Sequence, residues 1–173
     1  MTTSRLILFV VLFYIFIDSS KSGETCMGSE RYSSFLKIDN NYYYIPHDNK
    51  INWFGARDTC RRLGADLATI TTNDQLNAIS SYLLSKGYGE NDWFWIAGND
   101  LAQEGNFSWV SNGEKMTFAN WSQGQPDNNG GIEDCVHLWL REGQFKMNDW
   151  QCRNGKAYYI CQAPEPKMVC LWV

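Results

Sequence analysis

The sequence of 173 residues lacks a surplus of positive charge, and this excludes one large class of function. Its 15 Lys and Arg residues are outnumbered by 19 Asp and Glu residues, which gives a formal net charge of −4. Nucleic-acid-binding proteins use clustered basic side chains to neutralise phosphates. We therefore expect no nucleic-acid partner.

The sequence also lacks an apolar run long enough to cross a membrane. Its longest run, Leu6–Ile17, has 12 residues, whereas a membrane-spanning helix needs about 20. Arg5 precedes this run and the polar segment 18–23 follows it, which is typical of a cleaved secretory signal peptide. We predict a secreted, extracellular protein without membrane insertion; an uncleaved anchor is the alternative. The predicted parts are a signal peptide at 1–22, one domain at 23–162 and a C-terminal tail at 163–173.

A structural zinc site is disfavoured because its usual ligands are missing. There is no Cys-x-x-Cys pair, and the only histidines are His47 and His137. Disulfides are the expected state of cysteines in a secreted protein, and spacing alone does not choose among the 15 pairings that six cysteines allow. The cysteines are Cys26, Cys60, Cys135, Cys152, Cys161 and Cys170.

Periodicity predicts an α+β domain with its helices in the first half. Residues 35–45 are typical of a β-hairpin around a polar turn. The spacing of Trp53, Ala56, Cys60 and Leu63 predicts a helix that ends near Gly64.

A second helix, capped by Asn73, has the apolar face Leu76, Ile79 and Leu83 and stops at Gly87. Short strands and long polar loops follow from residue 93. The predicted strands cover residues 94–96, 107–110, 135–140 and 158–161.

The segment 99–134 is too long for a passive connection, and long loops are usually functional. This segment and the residues just after it are rich in oxygen-bearing side chains, the ligands that calcium prefers. Composition alone also fits a solvated polar loop.

The order of these residues resembles the C-type lectin domain family over roughly 26–162. The matching stretches are Phe94-Trp95-Ile96-Ala97-Gly98, Asn120-Trp121, Gln125-Pro126-Asp127, Glu133-Asp134-Cys135, Asn148-Asp149 before Cys152, and Cys161. The resemblance implies a fold of two helices, antiparallel sheets and a long calcium-binding loop.

The resemblance also implies disulfide pairing of Cys60 with Cys161 and of Cys135 with Cys152. An N-terminal cysteine pair found in long members of the family is missing here. We expect Cys26 to pair with Cys170 within the chain; intermolecular bridges are the alternative.

By the same resemblance, a principal calcium ion would bind sugar directly. Its implied ligands, which would also contact the carbohydrate, are Gln125, Asp127, Glu133, Asn148 and Asp149. A cis peptide at Pro126 would turn Gln125 and Asp127 toward one point. Asn148 and Gln125 would each give the ion an oxygen and keep an NH₂ group free to donate to the sugar. Met147 replaces the usual Trp before Asn148 in a buried slot.

The Gln-Pro-Asp order resembles the galactose-type motif, so we expect galactose or N-acetylgalactosamine to be preferred. The stacking Trp that follows this motif in strong galactose binders is absent from residues 128–132, which predicts a weak or broad preference. Trp150 or Trp139 could substitute, although Trp139 lies inside a predicted strand and is expected in the core. His137 could border the sugar site or serve only as a buried strand residue.

An auxiliary calcium site is implied by Asp100, Glu104, Asn128 and Asp134. Asn128 stands where the family often has Asp, which should weaken this site. Two glycosylation sequons begin at Asn106 and Asn120; Asn106 is the better candidate, because Asn120 belongs to a motif that packs beside the core.

The function that we predict is a secreted calcium-dependent lectin for galactose-type glycans on cell or microbial surfaces. By analogy with small secreted invertebrate lectins, it would act in microbe recognition and agglutination in innate immunity. Since one sugar contact is weak and no coiled coil or collagen stalk is present, avidity would require oligomerisation or a partner.

Two other functions are compatible with parts of the sequence. A lectin-like domain that binds protein without calcium is disfavoured by the complete ligand set. A glycosidase with paired carboxylates is disfavoured because the acids are ordered as ion ligands, and we expect no enzyme activity.

Overall fold

The computed structural model describes residues 24–27, 34–164 and 169–172, with side chains only in the middle range. The predicted signal peptide lies outside the described residues. By chain contacts, residues 29–167 form one unit, and a second unit contains the paired strands β1 (Glu24–Met27) and β11 (Val169–Trp172). No helix among the described residues has the length and apolarity needed to cross a bilayer.

The two predicted helices are confirmed. Helix α1 is Trp53–Arg62 and buries Trp53, Ala56 and Cys60. Helix α2 is Asn73–Ser85 and buries Leu76, Ile79 and Leu83. Its cap is Thr72 rather than Asn73, because the Thr72 hydroxyl accepts the hydrogen bond from Gln75 N.

One antiparallel sheet has the strand order β2-β3-β10-β4. The predicted hairpin at 35–45 forms its first two strands, and the sheet lies beside α1. The strands are β2 (Leu36–Ile38), β3 (Asn41–Tyr44), β4 (Asp66–Leu67) and β10 (Cys161–Ala163).

The second sheet has the order β6-β5-β7-β8, with β9 pairing parallel to β5 at two residues. The predicted segment 158–161 is therefore divided between two sheets, because Ile160 interrupts it. The strands are β5 (Phe94–Asn99), β6 (Ser108–Trp109), β7 (Cys135–Arg141), β8 (Gln144–Trp150) and β9 (Tyr158–Tyr159).

Strand β8 was not predicted, because its polar residues resemble a loop. It is held by a hairpin whose two turn residues, Glu142 and Gly143, both have positive φ angles of 54° and 79°. Such turns match the twist of antiparallel strands. The turn fixes the register in which His137 faces Asn148 and Val136 faces Asp149.

The core lies between the two sheets and the helices, and aromatic side chains fill much of it. Trp53, Phe94 and Trp95 are completely buried. The indole nitrogen of Trp53 donates to Ile96 O at 2.9 Å, and that of Trp95 donates to Ile51 O at 2.8 Å. These three aromatic residues therefore serve packing in the core.

Two of the predicted disulfides are present. Cys60–Cys161 joins α1 to β10. Cys135–Cys152 joins the first residue of β7 to the second residue after the end of β8. In the β1–β11 pair the backbone of Cys26 lies directly opposite that of Cys170. That register is compatible with the expected intrachain bridge, which stays a prediction.

Candidate functional site

Three carboxylates converge at one end of the second sheet. The acidic oxygens of Asp127, Glu133 and Asp149 lie within 4.8 Å of one another. Asp149 is completely buried in β8 and Glu133 is 8% exposed, whereas Asp127 is exposed. Segment 124–133 and strand β8 thus bring together residues that are distant in the sequence.

Asp149 also holds the neighbouring segment in place. Its two carboxylate oxygens accept hydrogen bonds from Asp127 N at 3.2 Å and Asn128 N at 2.8 Å. Glu133 accepts from Asn129 N at 3.2 Å, and its own N–H donates to the Asn128 side chain at 3.1 Å. A short 3₁₀ helix at Asn129–Gly131 completes this turn.

Two amide oxygens beside the carboxylates lack hydrogen-bond partners. They are Gln125 Oε1 and Asn148 Oδ1, both buried atoms. The Gln125–Pro126 peptide bond is cis, as the resemblance implied. Buried polar atoms nearly always have a partner. Two unpartnered oxygens beside three carboxylates form a donor set that suits calcium, which takes 6–8 oxygens.

The environment of this cluster shifts the pKa of Glu133. Burial raises the pKa of its carboxyl group, and the neighbouring charges of Asp149 and Asp127 raise it further. A bound divalent cation would offset this like-charge repulsion.

The amide of Asn148 departs from the expectation that its NH₂ group is free. That group contacts His137 Nε2 at 3.0 Å and the backbone oxygen of Asp149. Both amide hydrogens are therefore in use, and Asn148 contributes its oxygen. Since register places His137 opposite Asn148, the ring orients this oxygen.

His137 itself is both buried and part of the site. It is 1% exposed, and burial lowers its pKa to about 3, so the ring is neutral at physiological pH. Neutral Nε2 accepts the Asn148 hydrogen bond. His137 is therefore a buried strand residue that also lines the cavity beside the carboxylates; its place at a sugar site stays a prediction.

This cavity has a volume of about 170 Å³, and its lining combines polar and aromatic side chains. Trp93, Trp139 and Trp150 line it. The expectation that Trp139 belongs to the core is wrong, because Trp139 is only partly buried and lines this cavity. Trp93 was not identified from the sequence, although its i, i+2 spacing from Trp95 indicated a shared strand face.

The auxiliary set of Asp100, Glu104, Asn128 and Asp134 is arranged less compactly. Asp100 is 2% exposed; its Oδ2 accepts from Gly105 N at 2.8 Å, and its Oδ1 has no partner. Burial raises the Asp100 pKa, with smaller contributions from Glu104 and Asp134. Within the described residues, the three acids of this set do not converge within 4.8 Å as the first trio does.

The two glycosylation sequons differ in exposure. Asn106 is exposed. Asn120 is partly buried, and its amide donates to Asn73 Oδ1 at 3.3 Å. Asn106 remains the candidate for modification.

Comparisons with known proteins agree with this architecture. The family model described as the lectin C-type domain matches residues 49–163. C-type lectin 37Da of Drosophila melanogaster is 38% identical over 145 residues, covering 80% of this chain and 76% of that protein. Perlucin-like protein of Mytilus galloprovincialis is 29% identical and covers 88% of this chain and 95% of its own.

A solved structure, the carbohydrate-recognition domain of mouse scavenger receptor C-type lectin, superposes with a TM-score of 0.65 at 27% identity. It covers 79% of this chain and 97% of its own. C-type lectins are carbohydrate-binding proteins, generally dependent on calcium, and are not enzymes. The chain belongs to the C-type lectin domain family.

Proposed function

We propose that this protein is a secreted, calcium-dependent lectin that prefers galactose-type sugars. The observation that carries the proposal is the pair of unpartnered buried oxygens, Gln125 Oε1 and Asn148 Oδ1, beside three converging carboxylates. Calcium would supply the cation to which two sugar hydroxyls coordinate. The principal set would hold that ion; its members are Gln125, Asp127, Glu133, Asn148 and Asp149.

Four residues in and beside the principal set have distinct roles in this proposal. Asp149 holds the backbone of Asp127 and Asn128 and adds negative charge. His137 fixes the Asn148 amide so that its oxygen is available to the ion. With both hydrogens of Asn148 in use, Gln125 supplies the amide donor for a sugar hydroxyl.

The galactose preference rests on the order of amide and acid around Pro126. The amide at position 125 can donate a hydrogen bond, whereas the carboxylate at position 127 can only accept one. Their order therefore decides which of two neighbouring sugar hydroxyls meets a hydrogen-bond donor and which meets an acceptor. Some relatives have names that point elsewhere, such as the mannose-binding C-type lectin isoform of Notechis scutatus scutatus. Galactose and mannose must therefore be compared directly.

The test is retention of the protein on immobilised galactose and on immobilised mannose, each with calcium and with a chelator. We expect retention on galactose with calcium, release by chelator and weaker retention on mannose. Retention that is unchanged by the chelator would refute the ion-mediated mechanism. Stronger retention on mannose would refute the proposed preference alone.

Secretion and a role on microbial surfaces complete the proposal. Relatives include salivary C-type lectins of Aedes albopictus, which is compatible with a secreted chain. Agglutination of bacteria in calcium, inhibited by free galactose, would support recognition of microbes. Agglutination also requires at least two sites per particle, so sedimentation of the protein in the same buffer should reveal an oligomer.

A further inference from the structure

Positive charge is unevenly distributed along a chain whose formal net charge is −4. Segments 50–62 and 151–163 together contain six basic residues and a single acid, Asp58. A local excess of positive charge on a negative protein creates a field that attracts anions to that region. The basic residues are Lys50, Arg57, Arg61, Arg62, Arg153 and Lys156.

The fold joins these two segments through hydrogen bonds at the start of α1. Ile51 N donates to Ala157 O at 2.9 Å, and Ala157 N donates to Ile51 O at 3.0 Å. The Asn52 side chain donates to Arg153 O at 3.2 Å. Because the two backbones are paired, the basic residues of both segments are held on one fixed surface.

A groove of about 490 Å³ lies on this surface, and we call it the basic groove. Its volume is in the range of sites that hold a ligand larger than a single small anion. None of its lining residues lines the cavity beside the principal set. The charged residues of the basic groove are Lys50, Asp58, Arg62 and Lys156.

The single acid of the groove is offset by a neighbour. Arg57 Nε and Nη2 each lie 2.9 Å from Asp58 Oδ1, so the two charges compensate each other. Lys50 is partly engaged, because its Nζ donates to Asn91 O at 2.8 Å and lies 3.7 Å from Asp92 Oδ1. The positive charge left for a ligand therefore comes mainly from the other two cations.

Those two cations, Arg62 and Lys156, are exposed. Within residues 34–164, neither forms an ion pair. One Arg62 amine donates to Thr59 Oγ1 at 2.7 Å, which orients the guanidinium and leaves its other N–H groups for an acceptor. The groove thus presents two uncompensated cations on a rigid support, which suits an anionic ligand.

The rest of the lining restricts the class of that ligand. No aromatic residue lines the groove, so it offers no platform on which nucleic-acid bases stack. Its one large apolar residue, Ile51, is only partly exposed. A protein interface needs a buried apolar or aromatic centre, and a membrane surface needs an apolar anchor beside the cations. A polyanion without apolar groups fits this lining best.

We propose that the basic groove is a second glycan site, independent of calcium, that binds a sulfated polysaccharide. Such a chain carries several fixed negative charges and buries no apolar group. Its sulfate oxygens would accept hydrogen bonds from the Arg62 guanidinium and the Lys156 ammonium. Since the groove and the principal set share no residue, this proposal does not depend on the proposed galactose binding.

The experiment titrates heparin, a sulfated polysaccharide, into the full chain in the presence of a calcium chelator. We expect the unaltered protein to bind and its affinity to fall as salt is raised. The double variant Arg62→Gln/Lys156→Gln should bind about tenfold more weakly, because two exposed charge contacts are lost. Lys156→Gln alone should weaken binding about threefold and replaces the double variant if that variant does not fold.

A matched control removes the same amount of charge elsewhere. Lys86→Gln/Lys115→Gln changes two exposed lysines outside the groove and should keep heparin affinity within about twofold. The thermal unfolding midpoint shows that each variant is folded. Galactose retention in calcium should be the same for the groove variants and the control.

Three results would overturn the proposal. The first is no binding of heparin by the unaltered protein in chelator. The second is an equal loss of heparin affinity in the groove variants and the lysine control, which would mean that net charge alone is responsible. The third is binding to polygalacturonate, polyglutamate, single-stranded DNA or phosphatidylserine vesicles that equals or exceeds binding to heparin, which would assign the groove to another class of anion. None of these results affects galactose binding at the principal set.

Discussion

The principal and auxiliary sets contain similar side chains but are held in different ways. Two members of the principal set, Asn148 and Asp149, belong to β8, where a ladder with β7 fixes their backbone. Of the auxiliary acids, Glu104 lies on a turn, Asp100 directly follows β5 and Asp134 directly precedes β7. Only Asp100 among them is buried. Among the described residues only the principal acids converge within 4.8 Å, so acidic composition alone does not predict convergence.

The hydrogen bonds show the same contrast. In the principal set, the Asp149 carboxylate accepts hydrogen bonds from two backbone N–H groups of the facing segment. Asp100 accepts from Gly105, five residues ahead in its own turn. We therefore expect calcium to bind the principal set more tightly, and the following variants test that difference.

The largest effect is expected from Asp149→Asn. This change removes a buried negative charge and should cost about 3–5 kcal/mol of calcium binding free energy, with loss of galactose retention. Isothermal titration with calcium measures it, with Glu114→Gln as an exposed control. Calcium titration indistinguishable from that of the unaltered protein would mean that the principal set does not hold the ion.

Removal of the Cys135–Cys152 disulfide, by alanine at both positions, should weaken both sets together. It closes a loop between residues 17 apart in sequence, and the free energy of unfolding should fall by about 3 kcal/mol. Urea unfolding and calcium titration are the measurements. The matched variant without Cys60–Cys161 should lose stability but keep its calcium affinity below its melting temperature; equal loss of affinity in both would contradict a local role.

Asp100→Asn should act on the auxiliary set alone. It should weaken a second calcium equivalent about tenfold while galactose retention stays within about threefold. Proteolysis within 99–134, followed with and without calcium, should lose part of its protection by the ion. A loss of galactose retention as large as that of Asp149→Asn would show that the two sets are not separable.

The smallest change is expected from Asn128→Asp. It adds a charge to the auxiliary set and should strengthen the second calcium equivalent about two- to fivefold. The gain is limited because the Asn128 side chain already accepts from Glu133 N. No gain, or a weaker principal site, would indicate that repulsion with Glu133 and Asp149 exceeds the benefit.

Much of the fold was predictable because local patterns carried it. The apolar spacing that begins at Trp53 and that of Leu76, Ile79 and Leu83 predicted both helices, since a helix face repeats every 3.6 residues. Strand β8 was not predicted, because its polar residues form a strand only through their pairing with β7. The Thr72 cap and the division of 158–161 between two sheets depended on tertiary contacts in the same way.

The sequence by itself determined the family, and through that resemblance two of the disulfide pairs and a candidate set of oxygen ligands, because ordered motifs are written along the chain. Only the tertiary structure decided which of those side chains converge. It joined β8 to the 124–133 segment, engaged both hydrogens of Asn148 at His137 and Asp149, and set Trp139 at the cavity. The physical reason is that register between strands, a long-range property, fixes which side chains meet.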